Sequence, residues 1–237
     1  MFYYGGLDLT YLLLVLPALA LSLWAQFKVS SSFERYSKVR NVRGMTGAEA
    51  ARAVLRYHGV SDVGISPTRG NLTDHYDPRK NMIFLSESVY NSASVAAVGV
   101  AAHEAGHAVQ YATNYGAIRL RQAIIPITQF SSKFAMLAIM LGLVLYWNSL
   151  FAIGIILFSV LTLFQLITLP VEFNASRRAV EAIGGAMLLD EEEMRGAKKV
   201  LKAAALTYVA ALLSSAVQLL RFVLIFMSRS GGSRRRR

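Results

Sequence analysis

Cysteine is absent from the chain, and only 16% of its 237 residues are charged. Without cysteine there are no disulfides, no thiol catalysis and no thiolate-ligated metal, so any metal must be held by histidine and carboxylate. The scarcity of charge, against about 25% in an average soluble domain, goes with 54% hydrophobic residues and a mean hydropathy of +0.42. Together these exclude an ordinary soluble domain and point to a membrane protein. There is no internal repeat, no phosphate-binding glycine loop and no base-reading module. A net charge of +11 would suit nucleic acid, but Lys and Arg cluster beside the apolar runs and in the tail. There they serve orientation and lipid headgroups, and no nucleic-acid partner is expected. The apolar runs contain almost no ionisable residue to line a path, which weighs against a metal transporter.

The chemistry lies in residues 94–112, SVAAVGVAAHEAGHAVQYA. His103 and His107 stand four apart and so project from one face of a helix, with Glu104 between them. In this HExxH pattern two imidazoles hold a zinc ion and the glutamate takes a proton from a metal-activated water. Ser92 or Ser94 can cap the helix. Gly99, Gly106 and many alanines predict that other helices approach it closely. Without a metal, the His-Glu-His group would put three expensive polar groups on an apolar element.

Residues 7–26 are almost wholly apolar and predict a first transmembrane helix of about the required 20 residues. Lys28, Arg35, Lys38, Arg40 and Arg43 follow it, whereas residues 1–8 carry neither Lys nor Arg. The positive-inside rule therefore places the N-terminus outside and the region 27–127 in the cytoplasm. Within that region Thr46 and Glu49 form a capping box for an amphipathic helix stopped by Gly59, with His58 at its end as a partner of the helix dipole.

A small sheet is expected from β-prone pieces at about 63–65 and 81–85. Met82, Ile83, Phe84 and Leu85 form either an edge strand pairing with substrate or an ordinary core strand. In DHYDP, His75 is open to three readings: metal ligand, electrophile near the scissile carbonyl, or turn residue. Turn chemistry suffices for Asp74, Asp77 and Pro78.

Residues 128–169 read as a transmembrane hairpin that returns the chain to the side it left, delivering Glu172 at the start of a short helix after Pro170. Residues 170–202 hold that helix and the cap of the next, signalled by Asp190 and Glu193. Residues 203–228 read as a fourth span, although Arg229 and Arg234–Arg237 would then lie outside, against the positive-inside rule. Residues 229–237 form a basic low-complexity tail expected to be disordered.

The longer motif HExxHxxGxxH is excluded, because Gln110 and Thr113 stand where it needs Gly and His. His58 and His75 both precede the motif, so a downstream third ligand must be a carboxylate, and Glu172 has the best context. Two histidines and a glutamate leave one coordination position for water.

DHYDPRKNMIFLS, SVAAVGVAAHEAGHAVQYA and LPVEFNASRRA resemble the YugP-like family of membrane-bound neutral zinc metallopeptidases over nearly the whole chain. More distantly the layout is similar to the HtpX and CAAX prenyl endopeptidase membrane proteases. The resemblance implies a thermolysin-like (gluzincin) core with Zn2+ on His103, His107 and Glu172, and Glu104 as general base. Ser176 stands where the related ExxxD pattern has an aspartate. Serine can hydrogen-bond a ligand histidine but cannot raise its basicity as a carboxylate would.

The expected protein is thus a mainly α integral membrane zinc endopeptidase. About four transmembrane helices surround an HExxH helical core with a small β-sheet. Its substrate is a peptide or protein, and by analogy with HtpX-like enzymes its role is membrane-protein quality control. His75, Tyr208 and Arg178 are the oxyanion candidates. The competing reading is a catalytically silent zinc-dependent membrane scaffold or chaperone.

Overall fold

Four helices carry stretches long and apolar enough to cross a membrane: Tyr11–Ser37, Gly116–Val144, Asn148–Gly185 and Glu191–Arg229. In the computed structural model the backbone is described at residues 3–4, 7–8 and 11–234, and side chains at 11–229. Two short strands, β1 (Tyr3–Tyr4) and β2 (Leu7–Asp8), pair antiparallel. A π-helical turn at Tyr11–Val15 then leads into α1 (Leu16–Ser37). The first helical span therefore starts at Tyr11 rather than at residue 7, and it runs well beyond residue 26. Next come α2 (Gly47–Tyr57), β3 (Gly64–Thr68), β4 (His75–Asp77), β5 (Met82–Ser86), α3 (Glu87–Tyr90) and α4 (Val95–Ala112). Three long helices complete the chain: α5 (Gly116–Val144), α6 (Asn148–Gly185) and α7 (Glu191–Arg234).

The chain divides into two compact units, residues 1–24, 120–169 and 208–237 in one and residues 25–119 and 170–207 in the other. In the first, large apolar side chains such as Leu23, Ile127, Phe130, Val144, Ile156, Leu163 and Met227 point outward. Water would not tolerate such a surface, whereas hydrocarbon does. The interior is thin and aromatic, with Phe151 packing on Phe222 and Phe226. Gly142 lets the backbone at Phe151 close in, since a Cβ there would lie 2.4 Å from the Phe151 nitrogen.

Arg229 donates to the carbonyls of Gly142 and Leu143 and lies 5.0 Å from the Tyr146 ring centroid. A cation on the carbonyl end of a helix is stabilised by the helix dipole. The last helix continues to Arg234, so the expected disordered tail is helical at its start, with no proline to stop it. Residues 235–237 lie outside the described residues.

In the second unit α4 is the central element. Val95, Ala96, Ala97, Val98, Ala101, Ala102, Ala105, Ala108 and Val109 are all fully buried. Ser94 caps it, accepting from the Ala97 N–H at 3.1 Å. Thr46 and Glu49 form the capping box of α2, and Gly59 leaves that helix at φ +71°. Asp190 and Glu193 cap α7 reciprocally, at 2.8 and 3.0 Å.

Of the two readings of residues 82–85 the core strand holds, and one expectation about Glu172 is corrected. β5 is the central strand of a sheet ordered β3-β5-β4, parallel to β3 and antiparallel to β4. Met82, Ile83 and Phe84 therefore present no free edge, because both ladder sides are occupied, and Ile83 and Leu85 are fully buried. The edges belong to β3 and β4. Nor does Glu172 begin a short helix: α6 runs unbroken for 38 residues with Pro170 inside it. One proline removes a single i→i−4 hydrogen bond, and a long helix packed on both sides of the lesion absorbs it.

Helix contacts are set by glycine. A Cβ on Gly106 would lie 2.5 Å from the Ala175 carbonyl oxygen, whereas one on Gly99 would meet Ala197 at an ordinary 3.6 Å. Gly106→Ala must push α6 away from α4 and is expected to cost about 1–3 kcal/mol. Gly99→Ala should be neutral or slightly stabilising through helix propensity. Thermal unfolding of the two variants in detergent checks this; equal midpoints would contradict the close contact at Gly106.

Candidate metal centre

The α4–α6 contact at Gly106 brings three potential metal ligands together. Nε2 of His103 and Nε2 of His107 lie 3.2 and 3.4 Å from the same oxygen, Oε2 of Glu172. One donor atom from each residue lies within 4.8 Å of the others. A tetrahedral ion with bonds of about 2.0–2.1 Å has ligand-to-ligand edges of roughly 3.3–3.4 Å. The two separations to Glu172 are edges of about that size. Glu172 is 2% exposed and Glu104 9%, while the two imidazoles are each open on one side.

The tautomer of His107 follows from a chain of hydrogen bonds. Arg178 Nε can only donate, so the Asn174 atom 2.9 Å away is its oxygen. Gln110 must therefore turn its amide nitrogen toward that oxygen, at 3.0 Å, and toward the Val171 carbonyl, at 2.7 Å. Its carbonyl oxygen then faces His107 Nδ1 at 3.0 Å and accepts from it. With Nδ1 protonated, the His107 lone pair lies on Nε2 and points at a carboxylate, an arrangement that demands a cation or a proton between them. His103 is held similarly, its Nδ1 3.1 Å from Ser176 Oγ. The donor set, two imidazole Nε2 atoms and one carboxylate with their outer nitrogens tied back, fits zinc.

Charge in the site has the same sign. Burial of His107 opposes protonation, but the hydrogen bond that the protonated ring donates to Glu172 and the charges on Glu104 and Glu172 outweigh it and raise the pKa of the ring. The pocket selects for positive charge.

Ser176 is at the His103 ring. Arg178 is one step further out, engaged with Asn174. His75 is exposed on β4, where Nδ1 donates to the Thr73 carbonyl at 2.8 Å and the ring stacks on Phe84. It is not among the clustered ligands. The flanking aspartates are structural, with Asp74 accepting from the Ser86 N–H and Asp77 from the Arg79 N–H. Tyr208 belongs to the unit of apolar helices. Sequence reasoning missed Gln110, which is fully buried, and Asn174. The available signal was an amide on an apolar helix three positions after the second histidine of HExxH, the spacing of side chains on one face.

A family model described as "Putative neutral zinc metallopeptidase" matches residues 11–227. The chain is 52% identical over 218 residues to "Putative membrane protease YugP" of Bacillus subtilis (strain 168), covering 92% of this chain and 97% of that protein. No solved structure matches. With a family match running from the first apolar helix into the last, this chain belongs to the family described as "Putative neutral zinc metallopeptidase".

Proposed function

We propose that the protein is an integral membrane zinc endopeptidase of the thermolysin-like (gluzincin) type, with its active site on the cytoplasmic side and its N-terminus outside. The observation that carries the reading is the convergence of His103, His107 and Glu172, with both imidazoles at tetrahedral-edge distance from one Glu172 oxygen and Glu104 one position from His103 on the same helix. Zinc bound there would polarise a peptide carbonyl and lower the pKa of a water to about 7.

The chain's own residues do the rest. Glu104, buried between the two ligands, accepts the proton of the attacking water and returns it to the leaving amine. Ser176 and Gln110 fix the orientation of the two rings, so that each presents Nε2 inward. The 38-residue α6 carries Glu172, Asn174, Ser176 and Arg178 on one rigid element, which preserves their mutual spacing through a catalytic cycle. With β5 central, the free edge of β4 takes over as the candidate for pairing with an extended peptide, since β4 packs against α4. The substrate class is an unfolded or membrane-inserted polypeptide, and the role membrane-protein quality control.

Glu104→Gln should retain one zinc per chain and lose hydrolysis of an unfolded protein by at least about a hundredfold. Gln110→Leu should instead weaken zinc binding by roughly 10–100-fold, as loss of a partner that orients a ligand histidine does. Zinc content and casein hydrolysis measured on both variants separate the roles. Full casein hydrolysis by the Glu104 variant would refute the mechanism, and no hydrolysis by the zinc-loaded wild-type chain would favour a silent scaffold.

The topology rests on Lys28, Arg35, Lys38, Arg40 and Arg43 following the first span. The absence of native cysteine gives a clean background for labelling. Single cysteines at exposed Ser61 and Asn148 should react with an impermeant maleimide from opposite membrane faces; reaction from the same face would overturn the assignment.

A further inference from the structure

Away from the metal centre, the end of α1 and the start of α7 enclose a cleft of about 540 Å³ whose charge is of one sign. From α1 it receives Lys28, Ser31, Ser32 and Arg35, spaced i, i+3, i+4 and i+7 on one helix face. From α7 it receives Lys199, Lys202, Ala203 and Leu206, with the same spacing. The two faces look at each other across the cleft. Gly196, which lines the adjoining hollow, lets the two helices close beside the cleft, since a Cβ there would lie 2.7 Å from Cε1 of Tyr36.

No carboxylate lines this cleft. Asp190, Glu192 and Glu193 line the adjoining hollow of about 470 Å³, on the other side of Arg35 and Lys199. Glu193 is already committed to the N–H groups of Val42 and Asp190. Among the described residues none of the four cations makes an ion pair with a carboxylate. Lys199 and Lys202 are like charges at i,i+3, and both confront Lys28 and Arg35. Such a grouping is self-repelling and costs stability until an anion enters.

We propose that this cleft binds the phosphate of an anionic phospholipid headgroup. Lysine, arginine and serine are phosphate donors, and a lipid suits the cleft better than a free anion because its walls are amphipathic. Ala203 and Leu206 form the apolar end on α7. Phe27, next to Lys28, is 70% exposed on α1 and provides a surface for an acyl chain. The basic residues stand at the end of the apolar run of α1 and just before that of α7, which is headgroup depth for two spanning helices. The inference is independent of the peptidase mechanism, since the cleft contains none of the metal-centre residues.

The test uses the zinc-loaded full chain in detergent, titrated with phosphatidylglycerol or phosphatidylcholine and read by native mass spectrometry. The wild-type chain should hold phosphatidylglycerol in preference. Lys199→Gln with Lys202→Gln should weaken that binding by roughly tenfold or more, given the contribution of each basic residue near an anionic headgroup. Arg52→Gln with Arg56→Gln on α2, equally exposed but outside the cleft, should leave it unchanged. All four substituted residues are exposed, so zinc content should stay at the wild-type value and report an intact fold. Equal binding of the two lipids, or equal losses from the two double variants, would overturn the proposal. Displacement of the lipid by millimolar inorganic phosphate would also overturn it, by making the cleft a free-anion site.

Discussion

A carboxylate that is 2% exposed, with two imidazole nitrogens 3.2 and 3.4 Å from one of its oxygens, requires positive charge in the space between them. Most of the architecture supports that requirement. The two histidines come from one turn of α4, but Glu172 comes from α6, after the chain has left through α5 and returned. Its arrival depends on backbone contact rather than on a loop: the Ala175 carbonyl sits where a side chain at position 106 would be. The glycine inside HExxH is therefore a structural part of the candidate metal centre, although it offers no ligand atom.

The hydrogen-bond chain Arg178, Asn174, Gln110, His107 adds a second constraint. Each link has one permissible donor direction, and together they leave the Nε2 lone pair of His107 facing inward. A neutral amide orients the ring without adding negative charge to a site that already contains Glu104 and Glu172. On His103 the same task falls to a hydroxyl. Both outer partners are thus uncharged, and the basicity of the two imidazoles is raised less than a carboxylate would raise it.

Much of this could be read from the residues, and the exceptions have physical causes. HExxH, the capping boxes at Thr46 and Asp190 and the apolar hairpin are local patterns, and local patterns survive folding. Glu172 could be singled out because an ionisable group at the end of an apolar run is costly unless paired. The continuity of α6 through Pro170 could not, since whether a proline ends a helix depends on packing around it. The central place of β5 was also hidden: MIFLS reads alike at an edge or in the middle, and only the short β4, with its single apolar position, decides. Gln110 was noticed only for the motif it rules out. Its role depends on Asn174, 64 residues away, whose own orientation depends on Arg178.

The central claim is that Glu172, and not the earlier His75, completes the zinc site. Zinc content per chain, measured by plasma emission spectroscopy on purified Glu172→Gln and His75→Ala proteins, tests it most directly. A neutral amide is a poorer ligand than a carboxylate, so the first variant should lose most of its metal. The second should hold the wild-type amount of one zinc per chain. Zinc retained by the Glu172 variant and lost from the His75 variant would contradict the account.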